Sequence, residues 1–334
     1  MSDTKLIVSS TPHVRSEDSI EKVMADVLVA LAPATLASVY YFGFRAAFII
    51  LLCVAWCLIF EMMYERLAGK PYTIRDCSAA VTGVLLALNL PVTVPFWLPP
   101  VGAFVAIVIV KQLFGGLGQN FMNPALLARA FLQTSFTSDT VGWVAPVRSL
   151  IGASGPDAVS SATPLALLKE GVFTPQSADY LNALLGSVAG SMGETSSALI
   201  ILGGLYLILR KVISWHIPVS YLGLFGLLSF IFGRQGLFTG LPLYEILTGG
   251  ILLGALFMAT DYATSPITPL GKIIMGLGCA LLTFIIRTYG SYPEGVCYSI
   301  LLMNLAVPLI DRLTKPRVFG TSGTSGPTVK EARS

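Results

Sequence analysis

Long apolar stretches without a charged side chain decide what this chain can fold into. The run from Ala46 to Phe60 is entirely apolar, and no charged residue occurs between Ala79 and Val110. A helix that crosses a bilayer needs about 20 mainly apolar residues. Soluble domains carry roughly 25% charged residues, whereas this chain has 12% of 334. A soluble protein with so apolar a core would need far more Asp, Glu and Lys to cover it. The sequence therefore predicts an integral membrane protein.

Ten apolar segments can be drawn along the chain, and we expect each to cross the bilayer as an α-helix. Several are short or interrupted by Gly and Pro. Broken helices are tolerated at membrane depth where the freed backbone groups line a cavity or meet other protein. The expected fold class is thus an all-α polytopic membrane protein. The segments lie at about 23–43, 45–62, 77–90, 96–113, 120–136, 195–210, 214–232, 243–259, 271–288 and 294–311.

The distribution of Lys and Arg predicts the orientation. With the N-terminus in the cytoplasm, fifteen of the 21 basic residues fall on the cytoplasmic side and six on the outer side. This bias follows the positive-inside rule, and the opposite orientation would reverse it. We expect both termini to be cytoplasmic. The net charge of +3 gives no indication of nucleic-acid binding. The six outer residues are Arg45, Arg129, Arg148, Lys169, Arg234 and Arg287.

One long polar stretch, 137–194, interrupts the apolar segments, and the predicted orientation places it outside. Loops longer than about 12–15 residues in compact proteins are usually functional or disordered. Residues 1–22 lack the apolar core of a cleavable signal peptide. The predicted divisions are a cytoplasmic N-terminal segment 1–22, a first membrane half 23–136, the external loop 137–194, a second membrane half 195–313 and a flexible cytoplasmic tail 314–334.

The two membrane halves echo each other. Gly83 in AVTGVLL aligns with Gly250 in LTGGILL, and Gly102 in LPPVG aligns with Gly271 in ITPLG. Five segments per half is an odd number, so the second half would be inverted relative to the first. Inverted repeats often place a ligand near the midplane between broken helices. The pattern alone also fits a channel or secondary transporter.

Cysteine and histidine give no indication of a metal site on this chain. The sequence has no CxxC pair and no Cys/His cluster, and its only histidines are His13 and His216. We expect the cysteines to act as small buried apolar residues.

The external loop contains the sequence DAVSSATPL from Asp157 to Leu165. By local physics it is a polar turn that leads into a short helix, because Thr suits a helix N-cap and Pro the first helical turn. The segment also resembles the D-x-x-S/T-x-A-T flavinylation motif of the RnfD/NqrB family. In that family a flavin transferase joins FMN to the final threonine through a phosphoester. The resemblance implies that Thr163 carries FMN, that Asp157 serves transferase recognition or metal contact, and that Ser160, Ser161 and Ala162 fit a narrow cleft.

A second block, FGGLGQNFMNPALLARAF from Phe114 to Phe131, resembles a GGxGxNxFNPA-type segment of the same family. Its glycines permit close approach of backbones. Asn120 and Asn123 bring polar groups to membrane depth, where such groups are costly and often functional. The alternative is hydrogen bonding between helices. Arg129 could hold a flavin phosphate or ring oxygen, but we favour a side chain that snorkels to the outer interface.

Three acidic residues near helix ends have structural interpretations. Asp261 could bind an ion or a proton, but we favour a cap for the following helix. Glu245 and Glu294 occur at predicted helix starts, where an acidic side chain suits the helix dipole. We assign no chemistry to them.

The resemblance extends from Met24 to Arg317 and is closer to the RnfD branch of the family than to the NqrB branch, since the motif reads SSAT and a long N-terminal extension is lacking. Ala158 departs from the Gly of many such motifs. The resemblance implies a urea-transporter-like fold of two inverted five-helix repeats.

The function it implies is that of an electron-carrying subunit of an Rnf complex, which passes electrons between ferredoxin and NAD and couples them to Na⁺ or H⁺ movement. A second, non-covalent flavin, riboflavin, would lie within the helices. The implied partners are RnfA, RnfB, RnfC, RnfE and RnfG, a flavin transferase during maturation, and the lipid of a bacterial inner membrane, with the FMN loop periplasmic. The alternatives are an NqrB-type subunit of a Na⁺-pumping quinone reductase and a channel or transporter.

Overall fold

The fold is known from a computed structural model that describes residues 19–144, 146, 162–233, 236–290 and 294–315. Within these ranges the chain forms helices and turns and no β-strand. The predicted residues Asp157, Ser160 and Ser161 and the basic residues Arg148 and Arg234 lie outside the described residues.

Five predicted apolar segments of the first half each contain a helix. Ser19 begins the first one, because its Oγ accepts a hydrogen bond from Lys22 N at 3.3 Å. Gly43, with a φ of 72°, lets the chain turn directly from the first helix into the second. The helices are α1 (Ile20–Phe42), α2 (Phe44–Ala68), α3 (Ser78–Leu88), α4 (Leu98–Phe104, continued as a π-helix over Val105–Gln112) and α5 (Pro124–Ser135).

The long polar stretch contains short helices, and the second half again contains a helix in each predicted segment. The short helices are α6 (Thr137–Thr140), α7 (Pro164–Lys169) and α8 (Ser177–Leu185), followed by a 3₁₀ turn (Met192–Glu194). The second half comprises α9 (Ser197–Leu209), α10 (His216–Ile231), α11 (Pro242–Leu247), α12 (Ile251–Leu253, continued as a π-helix over Gly254–Met258), α13 (Pro269–Tyr289) and α14 (Val296–Leu313).

Four of these helices, α1, α2, α13 and α14, are long and apolar enough to span a membrane on their own, and α3, α4 with its π continuation, α9 and α10 are shorter apolar helices. Many large apolar side chains face outward, such as Leu36 on α1, which is 70% exposed. In water such surfaces would be unfavourable, whereas lipid accepts them. The described part of the chain is therefore all-helical, and the protein is a multi-pass membrane protein.

In each half the helical structure is interrupted at a break, and the backbone carbonyl groups there accept hydrogen bonds from an arginine side chain. After α3, Arg45 Nε donates to Val92 O at 2.7 Å and Arg45 Nη2 donates to Thr93 O at 3.1 Å. Between α11 and α12, Arg287 Nη1 donates to Glu245 O at 2.7 Å and Nη2 to Gly249 O at 2.8 Å. Without water at membrane depth, broken helices need such partners. These two arginines, predicted to lie on the outer side, thus stabilise the breaks.

The 3₁₀ turn that ends the polar stretch packs against the break in the first half. Met192 is fully buried, and its N donates to Leu90 O at 3.2 Å. Gly193 lies so close to Leu88 that a Cβ at 193 would be 2.8 Å from Leu88 O. This close packing brings the end of the polar stretch beside the break of the first half.

Candidate functional site

Thr163 is the N-cap of α7. Its Oγ1 accepts a hydrogen bond from Ala166 N at 3.2 Å, and Pro164 is the first residue of the helix. The expected helix start, with Thr163 as N-cap and Pro164 in the first turn, is therefore confirmed, whereas the polar residues 157–161 before it lie outside the described residues. The Thr163 side chain is buried, whereas Ala162 is exposed.

A narrow cavity lies beside Thr163. Its volume is about 10 Å³, which holds about one water molecule. The 3₁₀ turn contributes Glu194 to its wall, the break after α11 contributes Thr248, and the start of α14 contributes Glu294. Four separate parts of the chain therefore meet at this point, although they are up to 131 positions apart (294 − 163).

Arg129 lies buried near this cavity and is paired. Its Nη1 donates to Asn89 Oδ1 at 2.7 Å, and its Nη2 forms an ion pair with Glu294 Oε2. Our preferred interpretation of Arg129 as a snorkelling side chain was wrong, because α5 turns this residue toward the break after α3, where acceptors are available. Glu294 lies just before α14, as expected for a residue at a helix start, and its carboxylate also pairs with Arg129.

Glu194 is a site residue that the sequence did not reveal. Its Oε1 accepts a hydrogen bond from Ser191 Oγ at 2.9 Å, and Glu194 lines the same small cavity as Glu294. The other oxygen of Glu294, Oε1, is buried and has no further partner in the described part of the chain. Only the folding of the polar stretch brings the two carboxyl groups together, so no local pattern could have indicated this pair.

Asn123 and Asn120 lie deeper in the protein and differ in their hydrogen bonding. Asn123 caps α5, since its Oδ1 accepts from Ala125 N at 3.1 Å, and its Nδ2 donates to Met258 O at 3.2 Å in the other half. The alternative of hydrogen bonding between helices therefore holds for Asn123. Asn120 Oδ1 is buried without a protein partner among the described residues and points to a different environment.

That environment is a pair of adjoining cavities at the other end of the helices. The smaller, of about 70 Å³, is lined by Asn120, Asn123 and Lys111. The larger, of about 720 Å³, is lined by the glycine-rich turn 115–118. The two share four lining residues and therefore adjoin, and together they are called the inner cavity below. The shared residues are Met24, Leu117, Asp261 and Tyr262.

A buried ion pair borders this inner cavity. Lys111 Nζ, on the π-helix, contacts Glu61 Oε1 of α2 and donates to Ser78 Oγ at 2.6 Å. Gln112 Nε2 donates to the same Glu61 oxygen at 3.0 Å. Asp261 accepts from Thr264 Oγ1 at 3.2 Å and from Ala263 N at 3.5 Å, which closes a local turn. The expected cap of the following helix was wrong, because that helix begins only at Pro269 and has Thr268 as its N-cap.

Known proteins resemble the chain over nearly its whole length. It is 47% identical over 324 residues to the RnfD subunit of the Na⁺-translocating ferredoxin:NAD⁺ oxidoreductase complex of Acetobacterium woodii, covering 96% of this chain and 98% of that protein. It is 46% identical over 322 residues to the RnfD subunit of the proton-translocating ferredoxin:NAD⁺ oxidoreductase complex of Clostridium ljungdahlii, covering 94% and 96%. A relative from Stutzerimonas stutzeri, the corresponding subunit of an ion-translocating oxidoreductase complex, is 39% identical over 336 residues, covering 93% and 95%.

A profile of the NQR2, RnfD, RnfE family matches residues 7–320, which includes both membrane halves, the polar stretch and every described residue of the two cavities. This match and the identities to the three relatives lead to one conclusion: the chain belongs to the NQR2, RnfD, RnfE family.

Proposed function

We propose that this chain is the membrane-embedded RnfD subunit of an ion-translocating ferredoxin:NAD⁺ oxidoreductase complex. The observation that carries the proposal is the near-complete alignment with two such subunits at 46% and 47% identity. The chain would relay electrons within the complex and carry out no NAD chemistry itself. One of these relatives is named for Na⁺ and the other for protons, so the comparison assigns no ion to this chain.

FMN joined to Thr163 is the first proposed electron carrier. The residues present fit this group: Oγ1 is the hydroxyl that a phosphoester requires, and the esterified oxygen keeps a lone pair for Ala166 N. Bound flavin supplies the electron-transfer chemistry, and the protein supplies position and electrostatics. The cavity of about 10 Å³ beside Thr163 is far smaller than the roughly 300–1,000 Å³ of a cofactor pocket. The ring system would therefore lie on the outer side of Thr163, toward partner subunits.

A buried hydroxyl also sets a condition for maturation. Thr163 is only 5% exposed and its Oγ1 is engaged in the cap. A flavin transferase must therefore bind the motif while the start of α7 is not packed against the rest of the protein. Asp157, Ser160, Ser161 and Ala162 are the residues we propose that enzyme contacts.

The inner cavity is the proposed place of the second, non-covalent flavin, riboflavin. Its volume of about 720 Å³ suits a ligand of this size. Gly116 and Gly118 have φ values of 101° and 86°, which side chains rarely adopt, so the backbone itself forms the wall. Asn120 Oδ1 lacks a protein partner among the described residues and could accept from a ring N–H. Lys111 would place a positive charge beside a ring that gains electrons.

The proposed architecture has ten crossings in two inverted halves, as in urea transporters, with both termini cytoplasmic and Thr163 periplasmic in a bacterial inner membrane. RnfA, RnfB, RnfC, RnfE and RnfG are the proposed partners. An NqrB-type subunit of a quinone reductase is the alternative within the family, and neighbouring genes or co-purifying subunits distinguish it. A solute channel would have no use for the motif at Thr163.

The test is flavin attachment after co-expression with a flavin transferase. We expect the denatured subunit to fluoresce under ultraviolet light in a gel and its intact mass to exceed the chain by FMN less one water. Thr163→Ala removes the hydroxyl and should abolish both signals. Thr174→Ala is a matched control, because Thr174 also lies in the polar stretch and also precedes a proline. A flavin-free wild-type subunit, or a Thr163→Ala subunit that keeps the mass increase, would contradict the proposal.

The second flavin is tested by filling the inner cavity. Leu117→Trp puts an indole ring into space that both cavities share, and we expect it to lower the flavin that acid extraction releases from the purified subunit severalfold. The covalent flavin should be unchanged, since Thr163 lies in a different cavity. Leu113→Trp is the control, because Leu113 is 62% exposed and lines neither space. Equal release from both variants would place the second flavin elsewhere.

A further inference from the structure

A further cavity, of about 310 Å³, lies where α9 ends and where α10 and α13 begin, and is called the basic pocket below. Its wall carries two lysines, Lys211 and Lys272, and no acidic residue of the described chain. Ser214, Thr260 and Ser265 add hydroxyl groups. Ligand pockets occupy roughly 300–1,000 Å³, so the basic pocket has room for an anionic group with polar substituents.

The charge of these two lysines is not balanced within the described part of the chain. The three ion pairs among the described residues involve neither of them. Neither α10 nor α13 has an acidic side chain in its first turn, where such a side chain would suit the positive end of the helix dipole. Lys272 thus lies where the dipole of α13 opposes a cation, and a bound anion would relieve this repulsion.

Lys211 occupies a position that glycine commonly takes. The end of α9 forms a Schellman motif, in which Val212 N donates to Leu207 O at 3.0 Å. In the same motif Lys211 N donates to Ile208 O at 3.0 Å. Lys211 consequently has a φ of 59°, a left-handed conformation that is unfavourable for a residue with a Cβ. Strained residues of this kind often occur at ligand sites, so the position indicates a use for the ammonium group.

The surface beside the basic pocket is apolar and faces outward. Trp215 lines the pocket and is 54% exposed. Leu209 at the end of α9 and Leu270 at the start of α13 are also exposed. Trp is enriched where a membrane meets water, and basic pockets between membrane helices bind the headgroups of anionic lipids. A free phosphate would use the lysines but not this apolar surface.

We propose that the basic pocket binds the headgroup of an anionic phospholipid. The phosphate contacts Lys211 and Lys272, the hydroxyl groups of the wall contact the polar part of the headgroup, and the acyl chains follow the apolar surface beside Trp215. The pocket borders the inner cavity, but the two lysines line the basic pocket alone, so replacing them leaves the walls of the inner cavity in place.

The first test compares two lipids with the same acyl chains on the delipidated full-length subunit, by native mass spectrometry. We expect phosphatidylglycerol to bind more tightly than phosphatidylcholine, and the double variant Lys211→Gln, Lys272→Gln to lose this preference. Each lysine should change the Kd about fivefold, the effect of one basic residue near an anionic surface. Lys315→Gln is the matched control, because Lys315 is exposed and lines neither the basic pocket nor the inner cavity. Equal Kd values for phosphatidylglycerol in the wild type and the double variant would overturn the proposal.

A second variant separates lipid binding from folding. Glycine adopts the left-handed conformation without strain, so we expect lipid-free Lys211→Gly to have a Tm at or above that of the wild type. Its Kd for phosphatidylglycerol should nevertheless rise about fivefold. A lysine that served only the structure would give the opposite result, a lower Tm and an unchanged Kd.

Inorganic phosphate distinguishes the two sources of a phosphate group. We expect it not to displace phosphatidylglycerol from the wild-type subunit at equal concentration, because it cannot contact the apolar surface beside Trp215. Displacement at equal concentration would indicate a site for free phosphate and overturn the lipid assignment. Flavin enters none of these measurements, so their outcome is independent of the proposed function.

Discussion

Replacing Arg129 with methionine should destabilise the protein by about 3–5 kcal/mol, the cost of removing one partner from a buried ion pair. The Arg129 and Glu294 side chains are 8% and 13% exposed. Methionine has a similar length but no donors, so Glu294 Oε2 and Asn89 Oδ1 would both lose a partner. Asn89 lies at the end of α3, so the loss also loosens the break in the first half. Thermal unfolding of the detergent-solubilised subunit should show a lower Tm.

Two further variants make this result specific. Arg210→Met breaks the ion pair with Asp26, in which the Arg210 side chain is 57% exposed, and exposed pairs contribute about 0–1 kcal/mol. The double variant Arg129→Met, Glu294→Met removes both buried charges and should recover much of the lost stability, because no uncompensated charge remains. If Arg129→Met unfolded at the same temperature as Arg210→Met, the buried ion pair would contribute no more to stability than the exposed one.

The helices could be predicted because the forces that place them are local. The chain offers lipid-compatible side chains in runs of helical length, and the observed bounds of α1 and α10 fall within a few residues of the predicted segments. The cap at Thr163 was equally local, since the Thr-Pro pair alone favours a helix start. The breaks could be expected from Gly249 and Gly250.

The polar interior could not be predicted in the same way, because its partners are distant in the sequence. Arg129 and Glu294 are separated by 165 positions, and Glu61 and Lys111 by 50. A single Arg in an apolar segment is compatible with a lipid-facing or a buried side chain, and the choice depends on which acceptors the fold supplies. Glu194 lies in a polar stretch where acidic residues are ordinary, so its role follows only from the packing of that stretch against the breaks.

Gly203→Ala should have the other large effect, because it separates the two membrane halves. A Cβ at residue 203 of α9 would overlap the carbonyl oxygen of Ala30 on α1 and lie 3.1 Å from Phe257 Cζ. Helices in membranes approach closely through small residues, and an overpacked contact costs about 1–3 kcal/mol. A backbone carbonyl cannot rotate away as a flexible side chain can, so α1 and α9 must move apart. We expect a Tm below that of Gly223→Ala, whose added Cβ meets nothing within 4 Å.

The same variant links the packing to the two proposed flavins. Met24 and Val27 of α1 and Leu207 of α9 line the smaller part of the inner cavity together. Moving the helices apart should therefore release the non-covalent flavin. Thr163 is bordered instead by α7, the 3₁₀ turn and the start of α14, so covalent flavin should remain. We expect Gly203→Ala to lower the acid-extractable flavin while the in-gel fluorescence stays at the wild-type level, and Gly223→Ala to change neither. Loss of both signals would mean that the contact between α1 and α9 also supports the site at Thr163, which the contacts around Thr163 argue against.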